Sequence, residues 1–155
     1  ARAVPTLATG IGHALLGSVW PSNPWSTAYR DDADMDTERP AGWLSGSCLL
    51  VRWEAFEQIG GFDERYFMYL EDVDLGDRFT RAGWDNIFCP TAEITHAKGH
   101  STQAHRGAML RAHHDSAYRF QADRHPRWFE APLRAALWLG LRLRGVAVSA
   151  CRDRS

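Results

Sequence analysis

Glu71 and Asp72 stand side by side after the aromatic run Tyr66-Phe67-Met68-Tyr69-Leu70. Gly60-Gly61-Phe62-Asp63 makes a turn before them, and Arg81-Ala82-Gly83-Trp84 closes the segment behind them. Acids at a helix start are ordinary, because unpaired N–H groups there favour negative charge. An acidic pair held against large apolar side chains is suited to other work. Partial burial raises a carboxylate's pKa and fits it to take a proton from a substrate hydroxyl.

The elements that must position this pair can be read from periodicity. Cys48-Leu49-Leu50-Val51 is a short apolar run that reads as a strand buried on both faces. Trp53–Ile59 reads as a short helix, stopped by Gly60-Gly61. A second helix runs from Glu71 to Ala82, with Leu75, Phe79 and Ala82 on one face and Gly83 as its stop. Asp74, Asp77 and Arg78 read as its solvated face. Asn86–Cys89 is a short strand ended by Pro90, and Ala92–His96 continues as another.

Upstream, Ile11–Val19 reads as a helix, and Pro21 and Pro24 impose extended or turn backbone beside them. Residues 30–40 read as an acidic loop that is expected to be mobile. Downstream, a long helix spans Thr102–Arg124, with Met109, His113, Ala117 and Phe120 on one face. His113 and His114 read as packing residues. A last helix, Ala131–Val148, carries the stripe Leu133, Leu137, Trp138 and Leu141. The expected organisation is α/β, with residues 1–126 as one domain and 127–155 as a basic amphipathic helix.

The bulk properties narrow the function. The 155 residues suffice for one domain with a core, and 45% hydrophobic with 24% charged residues is a globular composition. A net charge of −1 argues against binding nucleic acid by bulk positive charge. Cys48, Cys89 and Cys151 form no CxxC pair, so neither a zinc ribbon nor a disulfide framework is supported, and a reducing compartment such as the cytosol follows. Cys48 and Cys89 read as small core residues.

Several segments then converge on a family. Trp43-Leu44-Ser45-Gly46-Ser47-Cys48, Gly60-Gly61-Phe62-Asp63-Glu64, Tyr69-Leu70-Glu71-Asp72-Val73-Asp74-Leu75 and Ala82-Gly83-Trp84 together resemble the acceptor half of family-2 inverting glycosyltransferases of the GT-A type. Within the family the pattern is most similar to actinobacterial rhamnosyltransferases acting on N-acetylglucosaminyl-diphospho-polyprenol. The resemblance covers about Trp20 to Leu141.

It implies that Asp72 is the general base that deprotonates the acceptor hydroxyl, with Glu71 orienting the acceptor sugar or Asp72 itself. Ser45, Gly46 and Ser47 would line the floor where donor and acceptor sugars meet, and Trp43 would be a stacking platform or a core residue. His96 would join a divalent metal, Mg²⁺ or Mn²⁺, that neutralises the leaving diphosphate. His100 and Ser101, at the start of the long helix, would touch phosphate. His96 and His100 are four apart, as zinc ligands on a helix would be, but Gly99 speaks against that geometry.

The donor implied is dTDP-L-rhamnose. The acceptor is a polyprenyl-diphosphate-linked sugar, and the place of work the cytoplasmic face of the plasma membrane, with peripheral attachment. Arg134, Arg142 and Arg144 beside a Leu/Trp stripe suit either a membrane-surface helix or a soluble helix covering the core. The family's Asp-x-Asp follows a hydrophobic strand. Asp32-Ala33-Asp34, Asp34-Met35-Asp36 and Asp72-Val73-Asp74 do not. The chain therefore reads as a C-terminal portion without the nucleotide-binding half, expected to be inactive alone. The alternative is a non-catalytic carbohydrate- or membrane-surface-binding module of the same architecture.

Overall fold

Asn23 and Pro24 start a helix where the prolines imply a turn. In the computed structural model, which describes residues 1–16, 19–30, 36–95 and 106–152, α1 (Leu7–Leu16) is followed by α2 (Pro24–Arg30). Pro24 takes the first helical position, where a missing N–H costs nothing. Asn23 Oδ1 accepts the Ser26 N–H at 2.8 Å, an N-cap that outweighs the proline signal. His13 joins α1 to α2 by a 2.9 Å hydrogen bond with Ser26 Oγ and by stacking on Tyr29.

The described residues gather into two compact units, the first made of those up to Asp63 together with 72–95 and the second of 64–71 together with 106–152. In the first, β1 (Arg39–Ala41) pairs antiparallel with β2 (Asn86–Phe88), Pro40 lying opposite Ile87. The segment read as a loop thus ends in a strand. Two strands leave every residue at an edge, where proline is tolerated. α3 (Trp53–Gln58) ends in Gly60 and Gly61 at φ 77° and 73°, and α4 (Glu71–Arg81) ends before Gly83 at φ 87°. Both glycine stops stand where the sequence puts them.

The core of this unit is Ala55, Leu75 and Phe79, with Leu49, Val51, Phe56, Ile59 and Trp84 packed around it. Cys48–Val51 is not a strand. Leu49 and Val51 turn inward while Leu50 is fully exposed, but no ladder partner is present among the described residues. An apolar run alone does not make a strand buried on both faces, because the backbone groups need a neighbour. Cys48 and Cys89 are exposed rather than core. Residues 92–95 are irregular as well.

The charged side of α4 is also not a solvated face. Asp77 is buried, and Arg78 bonds Asp74 Oδ2 through Nε at 2.7 Å. The same guanidinium donates through Nη1 to the carbonyls of Ile59 (2.9 Å) and Gly61 (2.7 Å). Buried Asn86 sends its amide to Gly76 O (2.9 Å), Gly42 O (3.3 Å) and Thr80 Oγ1 (3.1 Å), fastening β2 to α4.

In the second unit α5 (Arg106–Arg124) and α6 (Ala131–Arg152) run antiparallel, as three meetings show. Arg134 reaches His125, Arg142 reaches Asp115, and Gly145 lies against His114. Their junction is a 3₁₀ turn, Trp128–Glu130. Glu130 accepts from His125 Nδ1 (2.9 Å) and the Arg127 N–H (3.0 Å), while Arg134 Nη1 donates to the carbonyls of His125 and Arg127. Ser116 Oγ donates to Met68 O at 2.8 Å and Arg65 pairs with Asp123, holding residues 64–71 to α5.

His113 packs edge-on against Tyr69, and His114 is buried with Nε2 3.1 Å from Arg144 Nη1. Burial first, then the Arg144 charge, holds both imidazoles below their ordinary value of 6.5. The fold therefore prefers them neutral. As pH falls below 6.5 the unfolded chain takes up protons that the folded unit resists, so stability drops with acidification. Thermal unfolding followed at 222 nm should show a lower midpoint at pH 5.5 than at pH 7.5. His113→Gln with His114→Gln should flatten that dependence.

Candidate active site

Asp72 is held in place by the segment that precedes α3. Its Oδ2 accepts the Gly46 N–H at 2.9 Å, and its Oδ1 accepts the Val73 N–H at 2.9 Å. The acid thus faces a tight turn in which the Ser45 and Ser47 hydroxyls lie 3.1 Å apart and the Cys48 N–H returns to Ser45 O. Ser45, Gly46 and Ser47 are all exposed. Two hydroxyls and a half-buried carboxylate therefore share one solvent-facing rim, a fitting surface for a polyhydroxylated ligand.

This arrangement follows from α4 and its neighbours. Gly76, one turn after Asp72, lets the backbone of Gly42-Trp43 lie directly on the helix. A Cβ there would meet Trp43 Cβ at 2.8 Å and Gly42 O at 2.9 Å. That contact, with Asn86 bonding both Gly42 and Gly76, carries the chain into Ser45-Gly46-Ser47 beside Asp72. A cavity of about 720 Å³ opens next to the acid, with Leu49, Val51, Phe79, Arg52 and Asn86 among its walls. Trp43 donates its indole N–H to Ala3 O at 3.1 Å, and its backbone bridges to Arg2.

Glu71, the sequence neighbour of Asp72, belongs to the second unit. It follows Tyr69 and Leu70, whose φ angles of 68° and 62° lie in the left-handed region. Side chains with a Cβ occupy that region at a cost of about 1–2 kcal/mol each, and such strain collects at functional sites. Nothing in the residue types announced it, since neither is Gly, Asn or Asp. Asn86 and Gly76 were likewise missed, although Gly76 inside a helix was a readable sign of close backbone approach.

His96, His100 and Ser101 lie outside the described residues, as do residues 31–35 with Asp32-Ala33-Asp34. In Asp72-Val73-Asp74 the first acid faces Gly46 and the second is bound by Arg78, so the two serve different partners. Among the described residues no three His, Cys, Asp or Glu side chains gather as a metal would require.

A family model described as "Glycosyltransferase like family 2" matches residues 22–114. The N-acetylglucosaminyl-diphospho-decaprenol L-rhamnosyltransferase of Mycobacterium tuberculosis (strain H37Rv) is 58% identical over 144 residues, 93% of this chain and 47% of the relative. Rhamnosyltransferase WbbL of Escherichia coli K12 is 31% identical over 121 residues, 78% of this chain and 43% of the relative. The chain thus spans about half the length of these curated relatives. No solved structure matches it at a significant level. The match takes in the serine–glycine turn and the acid-headed helix α4 of the candidate site, with the Gly60-Gly61 stop between them: the chain belongs to glycosyltransferase family 2.

Proposed function

We propose that the chain is the acceptor-side part, residues 1–126 followed by the basic helix 127–155, of an inverting GT-A transferase. It moves L-rhamnose from dTDP-L-rhamnose to N-acetylglucosaminyl-diphospho-polyprenol in cell-wall linker synthesis, at the cytoplasmic face of the plasma membrane. The observation that carries the reading is the Asp72 carboxylate on the rim shared with Ser45 and Ser47, beside the cavity. The likeness to the mycobacterial relative, whose name specifies that acceptor and sugar, supports the substrates.

In this mechanism Asp72 accepts the proton of an acceptor hydroxyl. The oxygen forms its bond to the anomeric carbon of rhamnose from the face opposite the nucleotide, and the bond to dTDP breaks with the electron pair leaving on the diphosphate. The Gly46 N–H fixes the direction in which Asp72 points. Ser45 and Ser47 offer hydroxyls to the sugars, Glu71 orients the acceptor or Asp72 itself, and Trp43 is a stacking platform for a sugar ring. His100 and Ser101 meet the diphosphate.

A divalent cation, Mg²⁺ or Mn²⁺, would offset the charge of the departing diphosphate, with His96 as one ligand. The described residues do not themselves furnish a metal site. No helix among the described residues is long and apolar enough to cross a membrane. Attachment at the surface is read from the acceptor, which is carried by a membrane lipid.

The test is direct. The complete enzyme, given dTDP-L-rhamnose and N-acetylglucosaminyl-diphospho-polyprenol, is expected to yield a rhamnosylated lipid with inverted anomeric configuration. A retained configuration, or preference for a different nucleotide sugar, would overturn the assignment.

A further inference from the structure

Cys48–Val51 has the composition of a buried strand without the ladder of one. Leu49 and Val51 pack against the core, while Leu50 between them is fully exposed. That alternation is the side-chain pattern of extended backbone. Arg52, which follows, is extended too, with φ −65° and ψ 128°. Yet none of Leu49, Leu50 and Val51 makes a backbone hydrogen bond to another described residue. A run that is apolar at every position belongs in a sheet covered on both faces, and here only one face is covered.

A second strand edge borders the same cavity of about 720 Å³. Among the described residues β2 pairs with β1 alone, so its other edge is open. Asn86 and Ile87 of β2 line the cavity as residues 49–52 do, and Leu75 and Phe79 of α4 add apolar wall. No β1 residue lines it, so it borders the side of β2 that β1 leaves open. Ile87 is itself 40% exposed. Two segments of unpaired backbone and a set of aliphatic side chains thus meet in one place, and such edges template pairing with a further strand.

We infer that this cavity seats a β-strand from the nucleotide-binding half of the complete enzyme. The strand bonds residues 49–51 on one side and β2 on the other, and an apolar layer of the same half covers Leu50. Backbone chemistry decides between the possible occupants. A small ligand could fill the cavity, but it would leave Leu50 in water and satisfy few of the N–H and C=O groups along two edges. A second copy would have to enter with residues 49–51, which its own core holds through Leu49 and Val51. A strand carries donors and acceptors toward both sides at once. The curated relatives are about twice as long as the stretch that this chain matches, so they have polypeptide to supply it. The inference rests on the reading that the chain is the acceptor-side part of a transferase, and it names the surface on which the two halves meet.

Hydrogen exchange followed by mass spectrometry, on the complete enzyme and on the 155-residue chain, tests it. In the 155-residue chain the amides of residues 49–51 should exchange almost as fast as in an unfolded peptide. In the complete enzyme they should slow by about 100-fold. Leu50→Asp should leave the melting temperature of the 155-residue chain unchanged, because that side chain is already in water. In the complete enzyme the same change should lower it by roughly 5–10 °C. Amides that stay fast in the complete enzyme overturn the inference, and so does a Leu50→Asp enzyme as stable as its parent. Slow exchange already in the 155-residue chain overturns it too, since a neighbour within the chain or a second copy then holds the edge. Protection without rhamnosyl transfer supports the strand and counts against the proposed reaction alone. Transfer with residues 49–51 still fast removes the strand and leaves the reaction standing.

Discussion

Asp72→Asn in the complete enzyme is expected to lower kcat for rhamnosyl transfer by about 10²–10⁴-fold, the range a positioned general base contributes, with donor affinity unchanged. The amide has the volume of the carboxylate. Its single oxygen can keep either the Gly46 N–H or the Val73 N–H, each accepted now at 2.9 Å. One backbone bond is therefore lost along with the capacity to take a proton. If Asp72 served only as an acid at a helix start, the same change would cost a few tenths of a kcal/mol in stability and leave turnover near normal. That result would sink the catalytic role. Gly46→Ala is the companion variant. Its Cβ would lie 3.6 Å from Asp72 Cβ and 3.7 Å from Oδ2, an ordinary contact, and Gly46 is not among the glycines at positive φ. The fold should therefore accept the methyl with an unchanged melting temperature. The acceptor hydroxyl has to enter beside that same carboxylate, so KM for the acceptor should rise.

What could be read from the sequence divides along a physical line. Helices α3, α4, α5 and α6 and the glycine stops at Gly60, Gly61 and Gly83 were legible because they depend on neighbours three or four positions away. The turn that sets Ser45, Gly46 and Ser47 against Asp72 joins positions 26 residues apart. Only the family resemblance placed those residues at one site, since no local pattern encodes the contact. Cys48–Val51 failed as a strand for the complementary reason: its apolar run is continuous, but a strand is a property of two segments, and among the described residues none pairs with it. β1 was hidden by Pro40, and α2 by reading Pro24 as a breaker when Asn23 in front of it made it a start. The charged side of α4 misled in its own way. Charges at i, i+4 look the same on paper whether water or backbone carbonyls receive them.

That last distinction makes Arg78→Met the second large effect. An exposed Asp–Arg pair at this spacing contributes about 0.3–0.5 kcal/mol. Arg78 and Asp74 are different, with side chains only 24% and 14% exposed. Besides its 2.7 Å bond to Asp74, the guanidinium caps the carbonyls of Ile59 and Gly61 at the left-handed end of α3. Methionine keeps most of the apolar stem and removes all three bonds. It strands a mostly buried carboxylate and two carbonyls whose partner is gone. Bonds to charged groups are each worth about 1.5–3 kcal/mol, and partial solvent access reduces their sum, so about 3 kcal/mol of destabilisation is expected in urea unfolding followed by tryptophan fluorescence. Asp74→Leu on the Arg78→Met background should recover part of it, because the unpaired charge is then removed as well. A loss below about 0.5 kcal/mol would restore the solvated-face reading. The consequence extends to catalysis, because Arg78 ties to the Gly60-Gly61 turn the same helix that carries Asp72. A loosened α4 would weaken the Gly46–Asp72 contact, so the variant should lose turnover at temperatures where it is still folded.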